Sequence, residues 1–260
     1  FPAMLTTDRT GCSRGYSNSS ETTAFEKGTN SENAGCNYTS TFNGTSSAAP
    51  VLSGVIALLL EANPALTWRE IKYILAKSAT ADSYATGSIA HPLGSTLPGG
   101  YVWEQRWITN QAGFKFHNWY GFGRVNVDGA IALAKAAKTT PINLGTYTET
   151  NWADAHTGLN IAIPDNSAAG ATDTINVATS LKIEGVQIRV GITHADISEL
   201  ALELTSPSGT KSIIVNARNS LTGLSDFTEE TFLSNAFYQE SSVGNWTLKV
   251  VDAKTGHTGT

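Results

Sequence analysis

The sequence predicts two regions of different class: an α/β region over residues 1–140, then an all-β sandwich over 141–260. Three observations predict this. Residues 51–60 form a charge-free, largely apolar run opened by Gly44-Thr45-Ser46 and Pro50, which reads as a helix buried all round. Ile71, Ile74 and Leu75 recur at helical spacing in a second helix. Beyond Thr139-Thr140-Pro141 the pattern changes from helical to alternating.

Residues 1–43 are rich in Gly, Ser, Thr and Asn and hold the only two cysteines, Cys12 and Cys36. Bonded, they would close a loop worth roughly 3 kcal/mol in a segment with few core formers. Two buried thiols or a metal pair are the alternatives, and no histidine stands nearby at ligand spacing. The disulfide is preferred, and it implies an oxidising compartment. Asn18, Asn37 and Asn43 open glycosylation sequons that are common by chance.

Pro50 is tolerable in a first helical turn, so the first helix is expected to begin near Ser46. The Ser46 hydroxyl then lies beside free amides at the positive end of the helix. It could be a helix cap, or a nucleophile whose oxyanion those amides hold. Thr67 and Glu70 form a capping box for the second helix, with Leu66 and Ile71 at the staple positions. Residues 81–117 read as loop, broken by Gly87, Gly94, Pro98, Gly99 and Gly100. Tyr101, Trp103, Trp107, Phe114 and Phe116 read there as a small core pinning the insertion rather than a substrate rim. His91 and His117 read as hydrogen-bonded surface groups. Val125 and Val127 suggest a short strand, followed by an alanine-rich helix capped by Asp128.

From Leu144 onward strands are expected. Val186 to Ile192, Leu200 to Leu204 and Trp246 to Val250 alternate, Glu184-Gly185 reads as a bend, and Ser206-Pro207-Ser208-Gly209 as a turn.

Residues 44–50, Gly-Thr-Ser-x-Ala-x-Pro, resemble the nucleophile motif of subtilisin-like serine proteases. Leu5-Thr6-Thr7-Asp8, Leu59-Leu60-Glu61-Ala62-Asn63-Pro64 and Leu66-Thr67-Trp68-Arg69-Glu70 resemble the kexin/furin branch, as does His117-Asn118-Trp119-Tyr120-Gly121-Phe122-Gly123. Ile192-Thr193-His194, residues 204–210 and Gly244-Asn245-Trp246-Thr247-Leu248 resemble that branch's P domain, also called homo B. The resemblance implies the C-terminal part of a subtilisin-like peptidase domain over 1–140 and a P-domain β-sandwich over 141–260, in mutual contact. The sandwich is expected to lack its last strand and to leave a sheet edge unpaired. It further implies Ser46 as nucleophile, a supporting hydrogen bond from Thr45, protein or peptide substrates cleaved after basic residues, a structural His194, and calcium, for which no ligand set can be placed.

The subtilisin order along the chain is Asp, His, Ser, yet the histidines at 91, 117, 156, 194 and 257 all follow Ser46. The piece is therefore expected to lack its triad partners and to be inactive alone. With a net charge of −5, nucleic acid and anionic membranes are poor partners. No apolar run looks long enough to span a bilayer. Neither a start methionine nor a signal pattern stands at Phe1, so the chain reads as a piece of a longer, secreted protein. Two other classes stay open: a pseudo-protease that binds a partner through the sandwich, and a purely structural module.

Overall fold

A computed structural model describes residues 3–81, 97–152, 156 and 158–260; His91, Gly87 and Gly94 lie outside the described residues. The chain divides into two compact units, Phe1–Leu66 and Thr67–Thr260.

Unit 1 holds an antiparallel ribbon, β1 (Met4–Thr7) with β2 (Tyr38–Phe42), and helix α1 (Thr45–Ala62). Between the strands runs the polar loop, closed by the Cys12–Cys36 disulfide with Cα atoms 5.0 Å apart. Buried Glu26 accepts hydrogen bonds from Ser17 Oγ and, at 2.7 Å each, from Ser40 N and Oγ. A loop this poor in apolar residues is thus held by a covalent bond and a satisfied buried carboxylate.

Helix α1 departs from the expectation of burial all round. Among its described residues only Ser47, Val55 and Leu59 are buried, while Val51, Leu52, Leu58 and Leu60 are exposed. Within unit 1 its available partners are a short ribbon and a polar loop, too little apolar surface to cover a helix on every side. At 18 residues, with Glu61 its one charge, α1 is also long and apolar enough to cross a membrane by length and composition, contrary to the sequence expectation. Such a helix is weak evidence for a span, since core helices pass the same test.

Unit 2 opens with α2 (Trp68–Ser78), whose capping box forms as expected: Thr67 receives Glu70 N, and Glu70 receives Thr67 N at 2.8 Å. The aromatic segment that follows carries a small ribbon, β3 (Ile108–Thr109) with β4 (Lys115–Phe116). Phe114 is buried edge-on against Tyr73, Phe122 and Tyr238, and Trp107 lies against His117 and Tyr120, so these rings form a core. Helix α3 (Val127–Ala136) is capped by Asn126, which accepts from Gly129 N at 3.0 Å; Asp128 sits in the first turn instead. Val127 is therefore helical, and Arg124, bridged to Thr80, takes the extended pairing expected of its neighbours.

No strand occurs among the described residues 141–162 beyond isolated bridges, although alternation was expected from Leu144. The sandwich itself comprises β5 (Ser167–Val177), β6 (Val186–Ile192), β7 (Leu200–Thr205), β8 (Lys211–Val215), β9 (Phe227–Ser234) and β10 (Gly244–Asp252). One sheet has the order β5-β10-β7-β8; the other pairs β6 with β9, and every pairing is antiparallel. Val190, Ile192 and Phe227 from the small sheet meet Leu200, Leu202, Val215 and Val250 from the large one. Strand β7 is buried on both faces, so its alternating leucines are joined by buried Ala201 and Glu203. Gly209, at φ +88°, closes the expected turn with Gly209 N donating to Ser206 O at 2.9 Å. At the end of the chain Gly259 bridges to Ile163 and to His194.

Residues 67–140 are tied to the sandwich by buried polar contacts. Arg69 pairs with Glu184 and donates to the carbonyls of Leu144 and Gly145. Gln105 accepts from Ile213 N and donates to Lys211 O. Asn110 donates to the carbonyls of Ala236 and Tyr238 at 2.9 Å each.

Candidate active site

Gly44 occupies the cap position of α1 with φ +84° and ψ −177°, a conformation open essentially to glycine alone. This sharp entry sets Thr45 and Ser46 as the first two helical residues. Ser47, buried, returns its hydroxyl to Gly44 O at 2.7 Å, and Ser47 N also donates to Gly44 O at 3.1 Å. The amides of Thr45 and Ser46 belong to the first turn, where the helix itself offers no acceptor.

Ser46 is exposed and does not cap the helix, since Gly44 holds that position. Among the described residues neither its hydroxyl nor that of Thr45 makes a hydrogen bond. Pro50 stands in the second turn rather than the first, because the helix starts at Thr45. Lacking an N–H, it leaves the Ser46 carbonyl without its i+4 donor. A hydroxyl released from capping, beside free amides and the positive end of a helix, has the surroundings of a nucleophile with oxyanion donors.

Unit 1 contains no histidine. Asp8, a carboxylate of the same unit, is taken up by Arg9 N and Ser17 N at 2.7 Å each. In unit 2, His117 is fully buried, not the surface group expected from its loop position. Its Nδ1 accepts from Trp119 N at 3.1 Å, and burial pushes its pKa down, opposed by nearby Glu104. Trp119 Nε1 and Asn216 both donate to that same Glu104, so the aromatic core closes around a neutral imidazole. His156 pairs with Asp173 at 2.7 Å on the surface. His194 is buried against Asp252, in keeping with a structural role.

Sequence reasoning did not anticipate the group of His194, Glu199 and Asp252, whose ligand atoms lie within 4.8 Å of one another. Its members come from three separate places in the chain, so no local spacing announces it. Calcium takes six to eight oxygen ligands, and an imidazole among three candidate donors does not suit it.

A seryl group freed at a glycine-turned helix start, followed by an antiparallel sandwich, defines a class that the comparisons identify. Residues 10–123 match the subtilase family and residues 183–260 match the proprotein convertase P-domain. The chain belongs to the subtilisin-like serine proteases of the kexin/furin branch, as a subtilase segment followed by a P domain. It is 35% identical over 98% of its length to an extracellular serine protease of Aeromonas sobria, of which it covers 43%. Human proprotein convertase subtilisin/kexin type 5 is 31% identical over 82% of the chain, which covers 10% of that protein. A crystal structure of the Aeromonas sobria serine protease with its chaperone superposes with a TM-score of 0.84 at 32% identity, over 99% of this chain and 46% of that one. The chain thus spans less than half the length of these relatives.

Proposed function

We propose that this chain is part of a secreted serine endopeptidase that hydrolyses peptide bonds through an acyl-enzyme on Ser46. The observation that carries the proposal is the exposed Ser46 hydroxyl, released from capping by Gly44 at the amide-rich start of α1. Ser46 Oγ attacks the scissile carbonyl carbon and loses its proton to a base. The Ser46 amide holds the developing oxyanion, with Thr45 in support, and water then releases the acyl group. Within unit 1 no imidazole can serve as base, so catalysis requires an imidazole and a carboxylate from outside these 260 residues. Substrates are proteins or peptides cleaved after basic residues, in line with the kexin branch. Residues 1–140 serve as peptidase domain and 141–260 as P domain, joined through contacts such as Arg69–Glu184. Secretion accords with the Cys12–Cys36 disulfide and with the extracellular Aeromonas relative.

The absence of histidine from unit 1 favours one rival, a pseudo-protease in which the sandwich binds a partner. One experiment separates them. The full-length parent protein should react with a fluorophosphonate at Ser46, and Ser46→Ala should abolish both labelling and peptide hydrolysis. The 260-residue chain alone should turn over no peptide. Hydrolysis that survives Ser46→Ala, or a parent protein that neither labels nor cleaves, would refute the assignment.

A further inference from the structure

His194 follows β6, Glu199 ends the short turn Ile197–Glu199, Asp252 closes β10, and His257 lies in the terminal run. The first three are 0–1% exposed. Two carboxylates are therefore held close together in the protein interior. Burial is the main cause of a raised Asp252 pKa, and Glu199 adds to it, while the Lys254 amide and His194 oppose it. Such a pair calls for a cation.

The imidazole of His194 is oriented by its backbone. Its Nδ1 lies 2.9 Å from Asp196 O and 3.2 Å from Asp196 N. The closer contact puts the proton on Nδ1, which turns the Nε2 lone pair toward Asp252 Oδ2 at 3.3 Å. A histidine that gives its other N–H to a backbone carbonyl is oriented as metal ligands are. Tetrahedral zinc, with bonds of about 2.0–2.1 Å, keeps its ligand atoms about 3.3 Å apart. The His194–Asp252 separation already has that value. His257 Nδ1 stands 3.0 Å from Glu199 Oε2, and its half-exposed ring offers both a fourth donor and an entry path. Lys254 Nζ now holds the cationic position, 2.5 Å from Glu199 Oε1. Its side chain is 52% exposed and can swing into solvent.

We propose that His194, Glu199, Asp252 and His257 form a tetrahedral site for a borderline divalent cation of the zinc type, with the Lys254 ammonium as its exchangeable stand-in. Two imidazoles and two carboxylates select such an ion over calcium. The site lies wholly in unit 2 and does not depend on chemistry at Ser46.

The test is titration of the metal-free 260-residue chain with Zn²⁺ against a chromophoric chelator at neutral pH, with Ca²⁺ in parallel. One equivalent of zinc should bind, and His257→Ala should weaken it by about 10–100-fold. Lys254→Met, which removes the competing ammonium, should tighten binding several-fold with an unchanged circular dichroism spectrum. A gain in affinity cannot come from misfolding, so this variant decides the matter even if His257→Ala disturbs the fold. No stoichiometric zinc uptake, weaker binding in Lys254→Met, an unchanged affinity in a folded His257→Ala, or uptake of calcium in place of zinc would overturn the site.

Discussion

Asn110 is a buried clip between the aromatic segment and the sandwich, and its replacement by aspartate tests how that clip works. The carboxamide nitrogen donates to Ala236 O and Tyr238 O, and the oxygen accepts from Ala112 N at 3.1 Å and Phe114 N at 2.9 Å. Asn110→Ala deletes four hydrogen bonds and leaves two buried carbonyls unpaired. At about 1 kcal/mol per bond, with a further penalty for orphaned groups, the loss should be about 3–5 kcal/mol. Asn110→Asp keeps the oxygen and its two donors but points a carboxylate at two carbonyl oxygens. The carboxyl must take up a proton to donate there, so its folded pKa rises above the unfolded value of about 3.9. Stability of this variant should therefore fall as pH rises through that window, and the penalty at pH 7 should match that of the alanine variant. Urea unfolding of the chain at pH 4.5 and pH 7 reads both effects. An Asn110→Asp variant within about 1 kcal/mol of wild type at pH 7 would refute the clip, because a solvated or mobile side chain would tolerate that exchange.

Other outcomes follow from groups already described. Burial keeps the His117 pKa low, so its neutral form stabilises the fold above the unfolded value of about 6.5 and that stability is lost as pH falls. Protonating Nδ1 would also remove the acceptor for Trp119 N. Thermal unfolding should thus weaken below about pH 6.5 in wild type and show a smaller change in His117→Gln; equal slopes would remove His117 as the cause. Reduction of Cys12–Cys36 should cost roughly 3 kcal/mol by the chain-entropy model, with amide exchange rising in residues 8–40 and not in the sandwich. Uniform deprotection across the chain would contradict that localisation.

What could be read from the sequence was local. The Thr67–Glu70 box, the bend at Glu184 and the turn at Ser206–Gly209 each involve groups within four residues, and each formed as expected. Asn126 and Asp128 show how narrow that margin is: two good capping residues stand two apart, and backbone geometry chose the earlier one. Burial was less legible. The apolar composition of α1 states what the helix could cover, whereas its exposure depends on which surfaces are present to meet it. Of the candidate active site, the motif revealed Ser46 and its glycine turn, while the base lies beyond any signal in these residues. Glu104, Glu199 and Glu240 looked like ordinary surface acids. Glu240, for example, is buried because Gln111, Ser208 and Thr210, all distant in sequence, bring it their donors.

The compact split after Leu66 has a practical meaning for dissecting the molecule. Severing the backbone at 140/141, where the sequence rhythm changes, would strip Asn110, Gln105 and Arg69 from the β-layers and bare the carbonyls they cover. A cut at 66/67 spares those bonds. The β-layers are thus less a detachable bead than one cheek of a vice, whose opposing jaw is supplied by the preceding 70-odd residues.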